Sequence, residues 1–315
     1  MENNFWENKK ILVTGRYGFL GSYVMEKLKD KSVGKIIFPK RKDYDLTNGE
    51  SVKKLFRDNP GIDVVIHMAV DGGGIGYMKG HPGIVFDNNI LMNTFVQKYA
   101  REAGVGKFVG IGSVCGYPKI TPVPFSEDNL WDGFPEETNA PYGLVKKMML
   151  VQSQAYLEQF GFDGIHLMPV NLYGPRDDFD LSNGHVIPAL IRKIVEAKRQ
   201  GLQKVEVWGT GKASREFLYV EDCAEAIVKA AEKYSSKEPI NIGSGGEITI
   251  KNLAEKIVRL TNFNGELKWD ITKPDGQPRR LLDVSRAKRE FGFKAKTSLD
   301  EGLKKTIDWY VLNRT

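Results

Sequence analysis

Residues 10–30 read KILVTGRYGFLGSYVMEKLKD, and their parsing decides the fold. KILVT is a short apolar, partly β-branched run of the kind that forms a buried strand. SYVMEKLKD carries apolar residues at helical spacing. Between them stand Gly15, Gly18 and Gly21, a G-x-x-G-x-x-G turn. Small residues at that point let the backbone come close to a pyrophosphate, and the following helix N-terminus offers N–H donors and partial positive charge. Three glycines alone are weak evidence. Their place between strand and helix, at the start of a longer alternating pattern, points to dinucleotide binding by Gly15, Arg16, Tyr17, Gly18, Phe19, Leu20 and Gly21. The bland reading is a turn that only packs helix on strand.

Working outward, the alternation continues. KIIFP (35–39), DVVIHMA (63–69), KFVGIGS (107–113) and GIHLMPV (164–170) are strand candidates. SVKKLFRDN, NILMNTFVQKYAREAG and YGLVKKMMLVQSQAYLEQFG between them have helical periodicity. Such βαβα order predicts a Rossmann-type, doubly wound parallel sheet with helices on both faces. PALIRKIVEAKRQ and DCAEAIVKAAEKY read as helices, and PINIG as one more buried strand. The charged, turn-rich final third predicts a smaller C-terminal α/β substrate lobe. The expected division is 8–172 plus about 217–243 for the cofactor domain, and about 173–216 plus 244–315 for the second.

Bulk properties narrow the classes. At 315 residues, 41% hydrophobic and 27% charged, the chain is ordinary for a globular protein with a large core. It has no apolar run of membrane-spanning length, and the polar start MENNFWENKK lacks secretory-signal character. Two cysteines fit a reducing, cytoplasmic setting, and no Cys-x-x-Cys or His/Cys cluster suggests a metal. The +6 charge is spread along the chain, which disfavours nucleic acid and suits a small anionic substrate.

The second strand bears on which dinucleotide binds. KIIF runs into PKRKD, so Lys40, Arg41 and Lys42 arrive before any acid. An acid there takes ribose hydroxyls in NAD sites, whereas an arginine suits the extra phosphate of NADP. NADP is favoured over NAD, with Arg41, Asp45 and Leu46 as candidates at this edge. A solvated charge run is the competing reading, in which Asp43 or Asp45 still meets ribose or adenine.

NAPYGLVKK places Tyr142 and Lys146 at i and i+4 on one helix face. An unperturbed tyrosine titrates near ~10, and a cation one turn away is expected to pull it down. Ser113, ending the strand KFVGIGS, is placed to bond the same substrate oxygen. A surface tyrosine–lysine pair is the plain alternative.

With these residues the chain resembles the extended short-chain dehydrogenase/reductases acting on nucleotide sugars. GSVCGYPK, PVNLYGPRDDFDLSNGHVIPALIRK, VWGTGKASREFLYVEDCA and KPDGQPRRLLDVSRAKREFGF narrow the resemblance to the GDP-L-fucose synthase family, from about residue 9 to 311. The resemblance implies NADPH-dependent 3,5-epimerisation and 4-reduction of GDP-4-keto-6-deoxy-D-mannose or a close GDP-deoxysugar. It implies that Ser113, Tyr142 and Lys146 act on the carbon 4 oxygen, while Cys115 and His185 exchange protons at carbons 3 and 5. It puts Lys193, Trp208, Arg215, Asp275 and Arg280 on the GDP-sugar. The cofactor set extends to Ala69, Ile111, Lys146, Pro169, Asn171, Leu172 and His185, and a homodimer built on the helices NILMNTFVQKYAREA and YGLVKKMMLVQSQAYLE is expected. Taken singly, each side chain has an ordinary reading: Trp208 as core, Arg215 as a surface ion pair, Asp275 as a turn residue. Val114 and Gly116 depart from the family, which usually has a serine and an isoleucine there. HMAVDGGGIGYM (67–78) looks closer to GDP-mannose 3,5-epimerase, an NAD-retaining enzyme and the runner-up; a plain nucleotide-sugar 4-reductase is the other alternative. Cys223, inside an amphipathic helix, reads as core.

Overall fold

The computed structural model describes residues 5–181, 184–273 and 275–314. Residues 1–4 of the polar start, 182–183 of the motif before His185, and 274 of KPDGQP lie outside them. In chain order the elements are β1 (Lys10–Thr14), α1 (Phe19–Lys29), β2 (Lys35–Ile37), α2 (Gly49–Asp58), β3 (Val64–His67), α3 (Ile75–Gly80), α4 (Pro82–Glu102), β4 (Lys107–Ile111), α5 (Ala140–Phe160), β5 (Gly164–Pro169) and β6 (Asn171–Tyr173). Then come α6 (Val186–Arg199), β7 (Lys204–Trp208), β8 (Ser214–Tyr219), α7 (Val220–Lys233), β9 (Ile240–Ile242), β10 (Glu247–Thr249), α8 (Ile250–Thr261), β11 (Glu266–Asp270), α9 (Ser285–Phe291) and α10 (Leu299–Asn313).

The main sheet is six-stranded and parallel in the order β2-β1-β3-β4-β5-β9. Alternate residues of each strand face opposite ways, so both faces must be covered. Ile11, Val13, Ile66 and Val109 pack with Val24 and Leu28 of α1 and with Cys223, Ala224 and Ile227 of α7. Leu12, Val65 and Phe108 pack on the other face with Val52 and Leu55 of α2 and Val96 of α4. Each such buried side chain contributes about 1.5–3 kcal/mol, which fixes the register. The strand order turns between β1 and β3, and the carboxyl ends there flank the crevice in which such sheets bind ligands.

A second sheet, β10-β8-β6, and the β11-β7 pair build the smaller lobe. Its core joins Ile187, Leu190 and Ile194 of α6 to Val205, Leu253, Ile257, Leu303 and Ile307. Two elements pack across the expected division. Phe217 and Tyr219 of β8 belong to the second core, because β8 pairs with β6 and β10. Leu282, Ala287, Phe291 and Phe293 belong to the first, because α9 packs against α7 and β9. β8 thus runs across the expected boundary at 216/217, and part of 244–315 packs on the first core.

Candidate functional site

The glycine turn has the geometry that close approach demands. Gly15 sits at φ +75, where a Cβ would lie 2.7 Å from the Ala69 nitrogen. A Cβ on Gly21 would lie 2.1 Å from the Gly15 carbonyl oxygen. Gly18 caps α1 in extended conformation and provides no side-chain cap. The first turn of α1 is thus free to take an anion, and this cradle fits a dinucleotide pyrophosphate. Behind it, Thr14 Oγ1 accepts from the Met68 and Ala69 N–H groups and bonds His67 Nδ1 at 2.8 Å. Burial and the Lys146 charge push His67 down to about 3, so its ring is neutral and its Nε2–H donates to Asn93 Oδ1. This buried chain fixes the ends of β1 and β3 side by side.

At the edge of β2 the Arg16 guanidinium lies over the Phe38 ring (4.0 Å) and near the Tyr17 ring (5.1 Å). Tyr17 is largely exposed, and Phe19 and Leu20 are partly buried against the main core. Lys40, Arg41 and Lys42 are exposed, and none forms an ion pair among the described residues. Asp45 Oδ1 accepts from the Thr47 N–H and hydroxyl, bonds that hold its carboxyl below the usual range. Leu46 packs against the second face of the sheet. Pro169 ends β5, Asn171 donates to the Glu216 carbonyl at 3.0 Å, and Leu172 pairs with Leu218 across β8.

Beyond β4, Ser113 caps a single 3-10 turn, and its Oγ accepts from the Cys115 N–H at 3.2 Å. Val114 points into the main core, 3% exposed, so a hydroxyl there would be buried rather than face the site. Tyr142 lies close enough to Ser113 for that hydroxyl to favour its ionised form. The Lys146 ammonium donates to the Ile111 carbonyl at 2.8 Å and lies 5.6 Å from the Tyr142 ring centre. The expected lowering of Tyr142 is absent: burial pushes the phenol up, the nearby Cys115 adds to this, and only Ser113 opposes. Lys146 itself is pushed down to about 8 by burial. Desolvation therefore dominates, and Tyr142 is protonated and able to donate at neutral pH.

Gly143, which sequence reasoning passed over, brings these parts together. A Cβ on it would lie 2.2 Å from the Cys115 carbonyl oxygen, so only glycine lets α5 press on the turn bearing Ser113 and Cys115. Its one signal was its place directly after Tyr142.

On the other side of this turn, Arg280 Nη1 donates to Cys115 Sγ at 3.8 Å. Gln277, also unforeseen, accepts from Arg280 Nε and Nη2 at 3.2 and 3.1 Å. Arg215 donates to the Ser214 and Asp275 carbonyls, and burial with the Arg280 charge pushes it down to about 10. Asp275 staples a loop: its carboxylate accepts from the Thr210 N–H and hydroxyl at 2.7 and 2.6 Å. Next to that loop Trp208 is exposed, not core, with Lys193 and Lys273 each 5.4 Å from its ring centre. Lys193 also donates to the Glu206 carbonyl. Cys115, Arg215, Arg280 and Asp275 are thus one group, continued by Trp208 and Lys193. His185 is the N-cap of α6; burial lowers its pKa and the Asp178 charge opposes this. Cys223 is buried. Among the described residues no cluster of His, Cys, Asp and Glu is placed to hold a metal, and no helix is long and apolar enough to cross a membrane.

A family model described as the NAD dependent epimerase/dehydratase family matches residues 11–243. The chain belongs to this family. GDP-L-fucose synthase 1 of Arabidopsis thaliana is 41% identical over 98% of this chain and 94% of its own length. A GDP-6-OMe-4-keto-L-xylo-heptose reductase from C. jejuni superposes with a TM-score of 0.90 at 27% identity, covering 97% of this chain and 98% of that one. A GDP-L-fucose synthetase from Naegleria fowleri bound to NADP gives 0.89 at 29%, covering 98% and 94%.

Proposed function

We propose that this protein is a GDP-L-fucose synthase: it converts GDP-4-keto-6-deoxy-D-mannose, or a close GDP-deoxysugar, by 3,5-epimerisation and NADPH-dependent 4-reduction. The observation that carries this reading is one turn, Ser113–Cys115, that sets a thiol beside the Ser113–Tyr142 pair. A ketone oxygen held by Tyr142 and Ser113 acidifies the protons on the adjacent carbons, and a thiol is then within reach of them.

In this scheme Cys115, as thiolate, removes the proton from carbon 3 or 5, and the electron pair moves onto the carbon 4 oxygen. That oxygen is stabilised as an enolate by hydrogen bonds from Tyr142 and Ser113. His185 returns a proton to the opposite face, and both groups re-equilibrate with solvent between turnovers. NADPH, when bound, supplies the hydride to carbon 4. Tyr142 gives its proton to the carbon 4 oxygen, and Lys146 holds the ribose and steadies the phenolate left behind. Arg215 and Arg280 face the diphosphate, and Trp208 gives a flat surface flanked by Lys193 and Lys273. The exposed Arg41 and its neighbours take the 2′-phosphate, which favours NADP over NAD.

A division into a cofactor domain and a nucleotide-sugar lobe is supported by the two separate cores. A homodimer is supported by Ile84 and Leu91 of α4 and Met148 and Val151 of α5, apolar residues left exposed on neighbouring helices. A cytoplasmic setting suits two free cysteines.

The test offers GDP-4-keto-6-deoxy-mannose with NADPH in deuterated water. Oxidation of the cofactor with deuterium at carbons 3 and 5 is expected. Reduction without deuterium at those carbons would make the protein a plain 4-reductase. Exchange on GDP-mannose without net cofactor use would make it an epimerase instead.

A further inference from the structure

We infer that Asn93 and His67 are positioning residues for the Tyr142–Lys146 pair, members of one buried file of hydrogen bonds that runs from the glycine cradle to the backbone of α5. The inference rests on the reading above only for the reaction that the pair serves. The contacts stand by themselves.

The file starts on backbone. The Met68 and Ala69 N–H groups both donate to Thr14 Oγ1, each at 3.1 Å. Ala69 is the residue whose nitrogen a Cβ on Gly15 would strike, so the file begins where the dinucleotide fits. It ends on backbone too, because Asn93 Nδ2 donates to the Val145 carbonyl at 3.3 Å. Val145 stands between Tyr142 and Lys146 in α5. In the middle, Thr14 Oγ1 meets His67 Nδ1 at 2.8 Å, and His67 Nε2 meets Asn93 Oδ1 at 3.1 Å.

Both ends force the same direction. A hydroxyl has one hydrogen and two lone pairs. Two N–H groups occupy the lone pairs of Thr14, so its hydrogen goes to His67 Nδ1. At the far end a carbonyl can only accept, so Asn93 turns its nitrogen to Val145 and its oxygen to His67. The ring is the Nε2–H tautomer from either end, and every donor in the file has an acceptor. Thr14, His67 and Asn93 are all buried. Away from water a fully satisfied chain of this kind is stiff, and a break strands a buried polar group.

Placement decides what the file does. One turn further along α4, Gln97 makes the same kind of bond, donating to the Met149 carbonyl at 2.9 Å. Its oxygen takes the Ser153 hydroxyl, so that link stays between the two helices. The Asn93 link instead reaches the cradle. At the same level of α5, the Lys146 ammonium bonds the Ile111 carbonyl of β4. The helix is thus gripped from α4 and from β4 beside the pair, which sets its rotation and so the aim of Tyr142 and Lys146 at the nicotinamide end.

The experiment compares Asn93→Leu with Gln97→Leu, two equal cuts in one helix interface. Single-turnover hydride transfer from NADPH to GDP-4-keto-6-deoxy-mannose should slow by roughly tenfold or more in Asn93→Leu. It should stay near wild type in Gln97→Leu, with NADPH affinity unchanged in both. His67→Gln, which keeps a side-chain amide hydrogen for Asn93, should lose less than His67→Leu. Equal slowing in Asn93→Leu and Gln97→Leu would reduce the bond to helix packing and overturn the inference, as would unchanged transfer in Asn93→Leu. Should Asn93→Leu fail to fold, the two His67 variants decide, together with nitrogen NMR of the wild-type histidines, where His67 as Nδ1–H overturns the file. A wild type that does not reduce the keto sugar sinks the functional reading instead. Amide exchange of the peptide spanning Tyr142–Lys146 then judges the file: faster in Asn93→Leu than in Gln97→Leu supports it, and equal rates overturn it.

Discussion

Tyr142 enters the site protonated, because burial and the adjacent Cys115 outweigh the help of Ser113. A phenol in that state donates well, so Tyr142→Phe should lower turnover by about 10²–10⁴-fold while NADPH binding, followed by fluorescence titration, stays intact. Asp177 offers a different test. It is 5% exposed, one carboxylate oxygen lacks a hydrogen-bond partner, and burial raises its carboxyl to about 7. Between the ordinary carboxylate range and pH 7 the folded state binds the extra proton, so stability falls as pH rises across that window. Asp177→Asn should therefore melt higher than wild type at pH 8, with the gain vanishing near pH 4; a constant difference would count against a buried carboxyl as its origin. At this scale the sequence reveals what is local. The one-turn spacing of Tyr142 and Lys146 could be read, but not that the Lys146 ammonium would bond the Ile111 carbonyl. Nor could the Arg280–Cys115 contact be read, since 165 residues separate the pair.

The crossing of α5 over the Ser113–Cys115 turn is set by backbone against backbone. Gly143→Ala places a methyl 2.2 Å from the Cys115 carbonyl oxygen, so helix and turn must part. In an open helix the same change would stabilise by roughly 1 kcal/mol. Here it should destabilise by about 1–3 kcal/mol and lower turnover at least in step, read by denaturant melts beside steady-state rates. A stabilised, fully active Gly143→Ala would show the crossing to be loose. Elements followed a similar rule of legibility. β1, β3, β4 and β5 are apolar runs buried on both faces, and each announces itself. β6 and β10 are three residues each, too short for any period, and they exist only because β8 lies between them. β8 itself was cut in two by the expected boundary, because SREFLY reads as one run only once its partners are known. Val114 looked like a lost hydroxyl and is a core side chain, a distinction that depends on which way one residue of a turn points.

Across the whole molecule, α4 and α5 lie side by side, and Ile84 and Leu91 one heptad apart share a face with solvent. Met148 and Val151 continue that apolar surface on α5. Leu91→Asp combined with Val151→Asp should convert a dimer to a monomer in light scattering without loss of helical signal. A wild-type chain that is monomeric at micromolar concentration would end the dimer reading. The two lobes themselves are joined where the chain leaves β6, and there Arg176, at φ +68, reaches back to α1. Its guanidinium lies 3.8 Å from the Tyr23 ring centre and bonds both Glu26 oxygens, while the Tyr23 hydroxyl donates to the Pro175 carbonyl. The helix that opens behind the glycine turn is thereby latched to the segment that leads into the smaller lobe. Such a latch ties any motion of α1 to the segment that follows β6. Because Arg176 and Glu26 are open to water, the latch is ionic and screenable. Added salt should accordingly loosen α1 from that segment, read as faster amide exchange of its backbone, without unfolding either core.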